Sequence, residues 1–225
     1  MTYALLWDID GTLLDTHGIG KNAIISAIKS YTNWEVDFDH VKFSGLTDHQ
    51  IIKALLEHTD YSPINMEFAV EKILELYIQN YLIILEEVKI QEIDNIDNIL
   101  YLSHNQPSIR NWICTGNVFE GAKLKLRSAK LLKYFDEKYF FCSEDISSRQ
   151  KIVSRAKKEA LQLGFKPIVI GDTIHDIEAA KYEKVFSIAV ESRNYSLNKL
   201  KNANPDRILL KGWNFEQLKE AIEID

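Results

Sequence analysis

Cysteine is scarce. The 225 residues hold two, Cys114 and Cys142, each inside an apolar run ("WICTG", "YFFCS"), where cysteine packs as a small hydrophobe. That excludes a disulfide framework and points to a reducing compartment, most simply the cytoplasm. The densest basic run, "GAKLKLRSAKLLK", reads as a helix with its leucines buried and its lysines solvated, and the formal net charge is -6, so a nucleic-acid partner held through its phosphates is not expected. No apolar run approaches the ~20 residues that cross a bilayer; "YLIILEEVKI" is far too short, and no membrane partner is expected. The first residues carry no charged segment followed by a continuous apolar stretch, so no targeting segment is expected either. Low-complexity tracts, Pro/Gly/Ser-rich linkers and internal repeats are also absent.

What is present is an ordinary globular composition, 46% hydrophobic and 27% charged, long enough to bury a sizeable core. Short apolar runs rich in β-branched and aromatic residues recur: "YALLW", "SIRNWIC", "KYFFC", "PIVIG", "VFSIAV" and "DRILL". They read as buried strands. Helical spacing falls between them, over residues 93–103, 118–132, 149–163, 175–182, 196–203 and 215–222. Strands alternating with helices imply an α/β fold, a Rossmann-like parallel sheet with helices on both faces.

One region breaks the alternation. Residues 16–87 show three helical patterns and no strand, and the middle one opens with "TDHQ", where Thr47 and Gln50 form a capping box. The expected organisation is a core of residues 1–15 and 88–225 with an inserted all-helical domain over 16–87.

Ligands of doubly wound sheets bind at the carboxyl ends of the strands. Here those ends carry Asp8, Asp10 and Thr12; then Thr115, Gly116 and Asn117 ("ICTGN"); then Asp172 and Asp176 ("IGDTIHD"). Three or four carboxylates meeting in one crevice repel unless a cation sits among them, and hard oxygen donors without His or Cys favour Mg²⁺. Thr115 and Asn117 offer the donors that phosphoryl oxygens need.

The stretch "DIDGTLLDT", with "ICTGN", Arg149 in "SEDISSRQKIV" and "IGDTIHDIEAA" following in that order, resembles the haloacid-dehalogenase-like superfamily, in its phosphoglycolate phosphatase-like and β-phosphoglucomutase-like branch. The resemblance implies a Mg²⁺-dependent phosphatase acting on a small-molecule phosphate ester. Asp8 would be the nucleophile and Asp10 the general acid and base. Asp8, the Asp10 backbone carbonyl and Asp172 would ligate the metal, with Asp176 supporting them from behind. Thr115, Gly116, Asn117 and Arg149 would bind phosphate, Lys151 being the alternative to Arg149. The helical insertion would be a lid, and the loop "FSGLTDHQ" makes Thr47 and Asp48 candidates for substrate contact, beside their reading as helix-cap residues. Asp10 separates the chain from dehalogenase-like members, which carry another residue there.

Two other functions share these motifs: a phosphosugar mutase of the β-phosphoglucomutase type, and a non-catalytic binding module on the same fold. A monomer or homodimer is expected. Four polar residues near the motifs take plainer readings: Asp15 steadies the first loop, His17 and His175 are exposed, and Lys125 is a solvated lysine on its helix.

Overall fold

The computed structural model describes residues 1–222 except 36, 37, 39, 40, 42, 44, 60, 62, 94, 145–147 and 194. Residue 44 of the "FSGLTDHQ" loop and residues 145–147 ahead of Arg149 therefore lie outside the described residues.

The first strand explains its own composition. β1 (Tyr3–Trp7) pairs in parallel with β4 (Ile109–Cys114) on one side and β6 (Lys166–Gly171) on the other. With both edges and both faces covered, Ala4, Leu5, Leu6 and Trp7 are fully buried, which is why the strand is a continuous apolar run rather than an alternating one. Period-two geometry divides it. Leu5 and Trp7 join one core, and Ala4 and Leu6 pack on the other face with Trp112, Ile152 and Val169. Burying each leucine contributes about 1.5–3 kcal/mol.

The sheet is completed by β5 (Phe140–Phe141), β7 (Phe186–Val190) and β8 (Arg207–Leu209) in the order β5-β4-β1-β6-β7-β8, all parallel. From β1 the chain builds outward to β4 and β5, then returns to the other side for β6, β7 and β8. The reversal leaves a crevice beyond the carboxyl ends of β1, β4 and β6. Trp112 stacks on Tyr139 at 4.5 Å on one face, and Trp7 on Trp213 at 6.2 Å on the other.

Three helices precede β4's own helix: α1 (Ile19–Thr32), α2 (Asp48–Glu57) and α3 (Met66–Glu87). Beyond them lie α4 (Ile96–His104), α5 (Phe119–Ser128), α6 (Arg149–Gln162), α7 (Ile174–Tyr182), α8 (Leu197–Asn202) and α9 (Phe215–Ile222). A two-residue antiparallel ladder, β2 (Leu14–Asp15) with β3 (Gln91–Glu92), ties the start of the helical insertion to its end. Its strands are too short to leave a periodic signal. No helix among the described residues is long and apolar enough to cross a membrane, and Cys114 and Cys142 are buried and unbridged.

Candidate active site

Past Trp7 the chain turns sharply: the Leu13 and Leu14 amides both donate to the Ile9 carbonyl, and Gly11 donates to Leu14. Gly11 has a φ of +87°, and a Cβ there would stand 2.1 Å from Asp172 Oδ2. Glycine thus supplies both the left-handed backbone and the space for a carboxylate from the neighbouring strand. Gly171 leaves room in the same way for Asp176, whose Cγ would lie 2.4 Å from an added Cβ, though its own backbone is not left-handed. The result is a buried group of Asp8, Asp172 and Asp176, with one carboxylate oxygen of each within 4.8 Å of the others.

Arg149, opening α6, reaches into this group. Its Nη2 donates to Asp8 Oδ1 at 3.2 Å and its Nη1 to Asp176 Oδ1. Lys151 is exposed, so of the two basic residues weighed from sequence it is Arg149 that meets the carboxylates. Asp172 is not a helix cap: Thr173 caps α7, in a capping box with Asp176. Thr12 donates to Asp172 Oδ1 at 3.4 Å, whereas Asp172 Oδ2 is buried with no hydrogen-bond partner among the described residues. Burial, reinforced by Asp8 and Asp176, pushes the Asp172 carboxyl well above the usual range. Burial also raises Asp8 to about 7, against the pull of Arg149. Three hard oxygen donors, one of them orphaned, with two carboxyls resisting ionisation, form a donor set suited to a divalent cation.

Asp10 faces a different set of groups. Its carboxylate accepts from Thr16 Oγ1 at 3.0 Å, Asn117 Nδ2 at 3.0 Å and Lys125 Nζ at 2.6 Å, and Lys125 also donates to Asn117 Oδ1 at 2.7 Å. Burial opposes charge on Asp10, but Lys125, Asn117 and Thr16 outweigh it and hold the carboxyl below its ordinary range. The expectation for Lys125 is overturned: its side chain is 3% exposed, under Tyr77 and Tyr81 of α3, rather than solvated. The missed signal is spacing. Gly121 and Ala122 lie one turn before Lys125, and these small residues mark the side of α5 on which the insertion packs closely.

The turn after β4 is held by backbone bonds, Thr115 N–H to Phe141 and Ser143 N–H to Asn117. Thr115 and Asn117 are buried. The insertion docks on this turn through the start of α2. The Asp48 amide donates to the Gly116 carbonyl at 2.9 Å, and the Val118 amide donates to Asp48 Oδ2 at 2.9 Å. Burial pushes Asp48 up to about 6. Thr47 caps α2, its hydroxyl accepting from the Gln50 amide at 3.3 Å. Thr47 thus serves as a helix cap and Asp48 Oδ2 as a docking acceptor, while Asp48 also borders a cavity.

These groups line a cavity of about 400 Å³, bounded by Asp8, Asp10, Asn117, Lys125, Arg149 and Asp172 from the core and by α1 and the residues before α2 from the insertion. A larger cavity of about 580 Å³ lies on the outer side of Asp10. It misses Asp8, Asp172 and Arg149, so the chemistry belongs to the smaller one. Asp15 borders the outer cavity and accepts from the His17 amide and Arg193 Nη1, both at 3.1 Å. His17 is partly exposed, and His175 pairs with Glu178 at 3.5 Å while its ring covers Gly45.

Comparisons with known proteins bear on the fold and the family. CbbY from Rhodobacter sphaeroides, in a mutant form in complex with xylulose-(1,5)bisphosphate, superposes with a TM-score of 0.73 at 17% identity over 93% of this chain and 94% of that one. A hydrolase from Pseudomonas syringae gives 0.73 at 20% identity over 99% of each chain. A protein from Clostridium acetobutylicum described as a predicted phosphatase gives 0.71 at 22% identity over 100% of each. At these identities the likeness establishes the fold. Among curated proteins no sequence matches. The sequence model of the haloacid dehalogenase-like hydrolases matches residues 5–190, spanning the carboxyl ends of β1, β4 and β6, and the chain belongs to that family.

Proposed function

We propose that the chain is a Mg²⁺-dependent phosphatase that hydrolyses a small phosphomonoester through an aspartyl-phosphate on Asp8. The observation that carries this reading is the meeting of Asp8, Asp172, Asp176 and Arg149 in one buried corner of a cavity that also holds Asp10 and residues 116–117. Asp8, the Asp10 backbone carbonyl and Asp172 would hold the metal, with Asp176 and Arg149 steadying the carboxylates. Bound there, Mg²⁺ would favour the ionised carboxylates and offset charge on the phosphoryl oxygens. The family assignment and the CbbY complex with a sugar bisphosphate support a phosphate ester of this size. The partner in this reading is a soluble small molecule, and the setting is the cytoplasm.

In the first step an Asp8 carboxylate oxygen attacks phosphorus, the bond from phosphorus to the ester oxygen breaks, and a proton that the ester monoanion brings in on its phosphate passes through Asp10 to the departing alkoxide. In the second, Asp10 takes a proton from water, whose oxygen attacks the same phosphorus; phosphate leaves and Asp8 is restored. Lys125, Asn117 and Thr16 aim the Asp10 carboxylate for both transfers. Arg149 and the Thr115 hydroxyl supply positive charge and a donor to the phosphoryl oxygens.

The test is a Mg²⁺-dependent hydrolysis screen over a panel of phosphate esters, run beside Asp8→Asn. The variant keeps the shape of the site and loses the nucleophile, so kcat should fall ~10³-fold or more. Activity near that of the wild type would assign the attacking group elsewhere.

A further inference from the structure

We propose that Lys21 reads a second anionic group on the substrate, a carboxylate or another phosphate at the end remote from the ester that is cleaved. The inference rests on the phosphatase reading and deepens it to a substrate class.

Among the described residues that line the cavity three are cations, and two are spent. Arg149 is bound to Asp8 and Asp176, and Lys125 to Asp10. Lys21, in the first turn of α1, lines the same cavity from the insertion side. Among the described residues no carboxylate pairs with it; its ammonium instead lies over two rings, 3.9 Å from the Phe38 centroid and 5.1 Å from that of Phe43. Ring faces attract and orient an ammonium, but they accept none of its hydrogen bonds in the way an oxygen does. The three N–H groups are thus left for water or a ligand.

Acids are plentiful in this cavity, which makes an unmatched lysine there informative. A structural lysine would sit beside Asp10 or Asp48, as Lys125 does. Lys21 is held away from them by the two phenylalanines, half-buried, at the cavity wall. The helix end around it adds to the same field. α1 begins after Gly18, which makes no side-chain cap, and its first turn carries no acid. Gly18 and Gly20 border the cavity too, so the positive end of a 14-residue helix faces the space that Lys21 faces. An anion arriving there exchanges water for charge-assisted hydrogen bonds. The cleaved phosphate occupies the Asp8 corner, which places the second anion on the rest of the same molecule.

The experiment compares matched pairs of esters that differ in the remote anion: glycerol 3-phosphate with 3-phosphoglycerate, and fructose 6-phosphate with fructose 1,6-bisphosphate. Wild type, Lys21→Met and Lys21→Arg are assayed by kcat/KM. The wild type should favour the anionic member of at least one pair by about 10- to 100-fold, the scale of one charge-assisted hydrogen bond. Lys21→Met should erase that ratio, mainly through KM, and Lys21→Arg should keep most of it. Hydrolysis with no preference in the wild type overturns the inference alone. So does an equal loss on both members of a pair in Lys21→Met. Failure to hydrolyse these esters or any member of the wider phosphate-ester panel removes the phosphatase reading, and this inference with it.

Discussion

Two single residues decide how the carboxylates of the site are held. Gly11 holds a left-handed backbone at φ +87° directly against Asp172. In Gly11→Ala the new methyl needs the space of a carboxylate, and the backbone itself is strained by ~1–2 kcal/mol. We expect Asp172 to be displaced and divalent-cation affinity to fall roughly tenfold or more, the scale seen when a metal ligand loses its support. Titration calorimetry with Mg²⁺ reads this directly, and unchanged affinity would mean Asp172 is not a ligand. Lys125 tests the other carboxylate. Lys125→Met keeps the buried stem but removes the only ammonium bound to Asp10 among the described residues. Breaking a well-buried ion pair costs ~3–5 kcal/mol. Asp10 keeps 34% side-chain exposure, so water recovers part of that, and we expect about 2 kcal/mol in urea unfolding. kcat should fall at least ~10-fold as Asp10 loses its aim, and Lys125→Arg should restore less stability than aim, because a guanidinium is bulkier than the buried ammonium it replaces.

At the scale of elements, the contact that matters joins the start of α2 to the turn after β4. Among the described residues two hydrogen bonds carry it, both through Asp48. Asp48→Ala leaves the Val118 amide without its acceptor, at a cost of about 1–3 kcal/mol. We expect the Val118 amide to exchange with solvent faster while amides of β1 and β6 keep their protection; equal acceleration everywhere would show global destabilisation instead of a loosened insertion. The same contact marks the limit of what the sequence tells. The strands and the helices around them were legible because β1, β4 and β6 are buried on both faces and must read as apolar runs between helical patterns. The motif aspartates were legible because few other settings put Asp-X-Asp-Gly-Thr at the end of such a run. Lys125 was not, since a lysine on an amphipathic helix looks solvated until the helix above it is placed. Nor was Asp48 legible as a docking residue, because its partner lies 70 positions away. The β2–β3 ladder was too short to have a period.

For the whole molecule, the sheet's reversal beside β1 concentrates acids that folding makes harder to ionise, and this gives stability a defined dependence on pH and metal. Asp8 rises from 3.8 to about 7 and Asp48 to about 6, and Asp172 is raised as well, all chiefly through burial. A carboxyl whose folded value is raised keeps its proton in the native state longer than in the unfolded one. Its stabilising effect is complete below the unfolded value near 3.8 and is lost as pH climbs through about 7. Asp10, held below its ordinary range, is ionised throughout pH 5 to 7.5 and adds no slope there. Metal-free protein should therefore melt at a lower temperature at pH 7.5 than at pH 5 on account of these groups. A divalent cation reverses the trend, since it binds the ionised carboxylates and competes with their protons. At ~100 times its Kd, Mg²⁺ should add about 2.7 kcal/mol, which for a chain of this size is roughly 5–10 °C in Tm at pH 7.5. The shift should be far smaller at pH 5 and absent in Asp172→Asn. Thermal melts at the two pH values, with Mg²⁺ and with a chelator, measure all of this. An equal Mg²⁺ shift at both pH values, or one that survives Asp172→Asn, would place the cation away from the carboxylates that close the crevice.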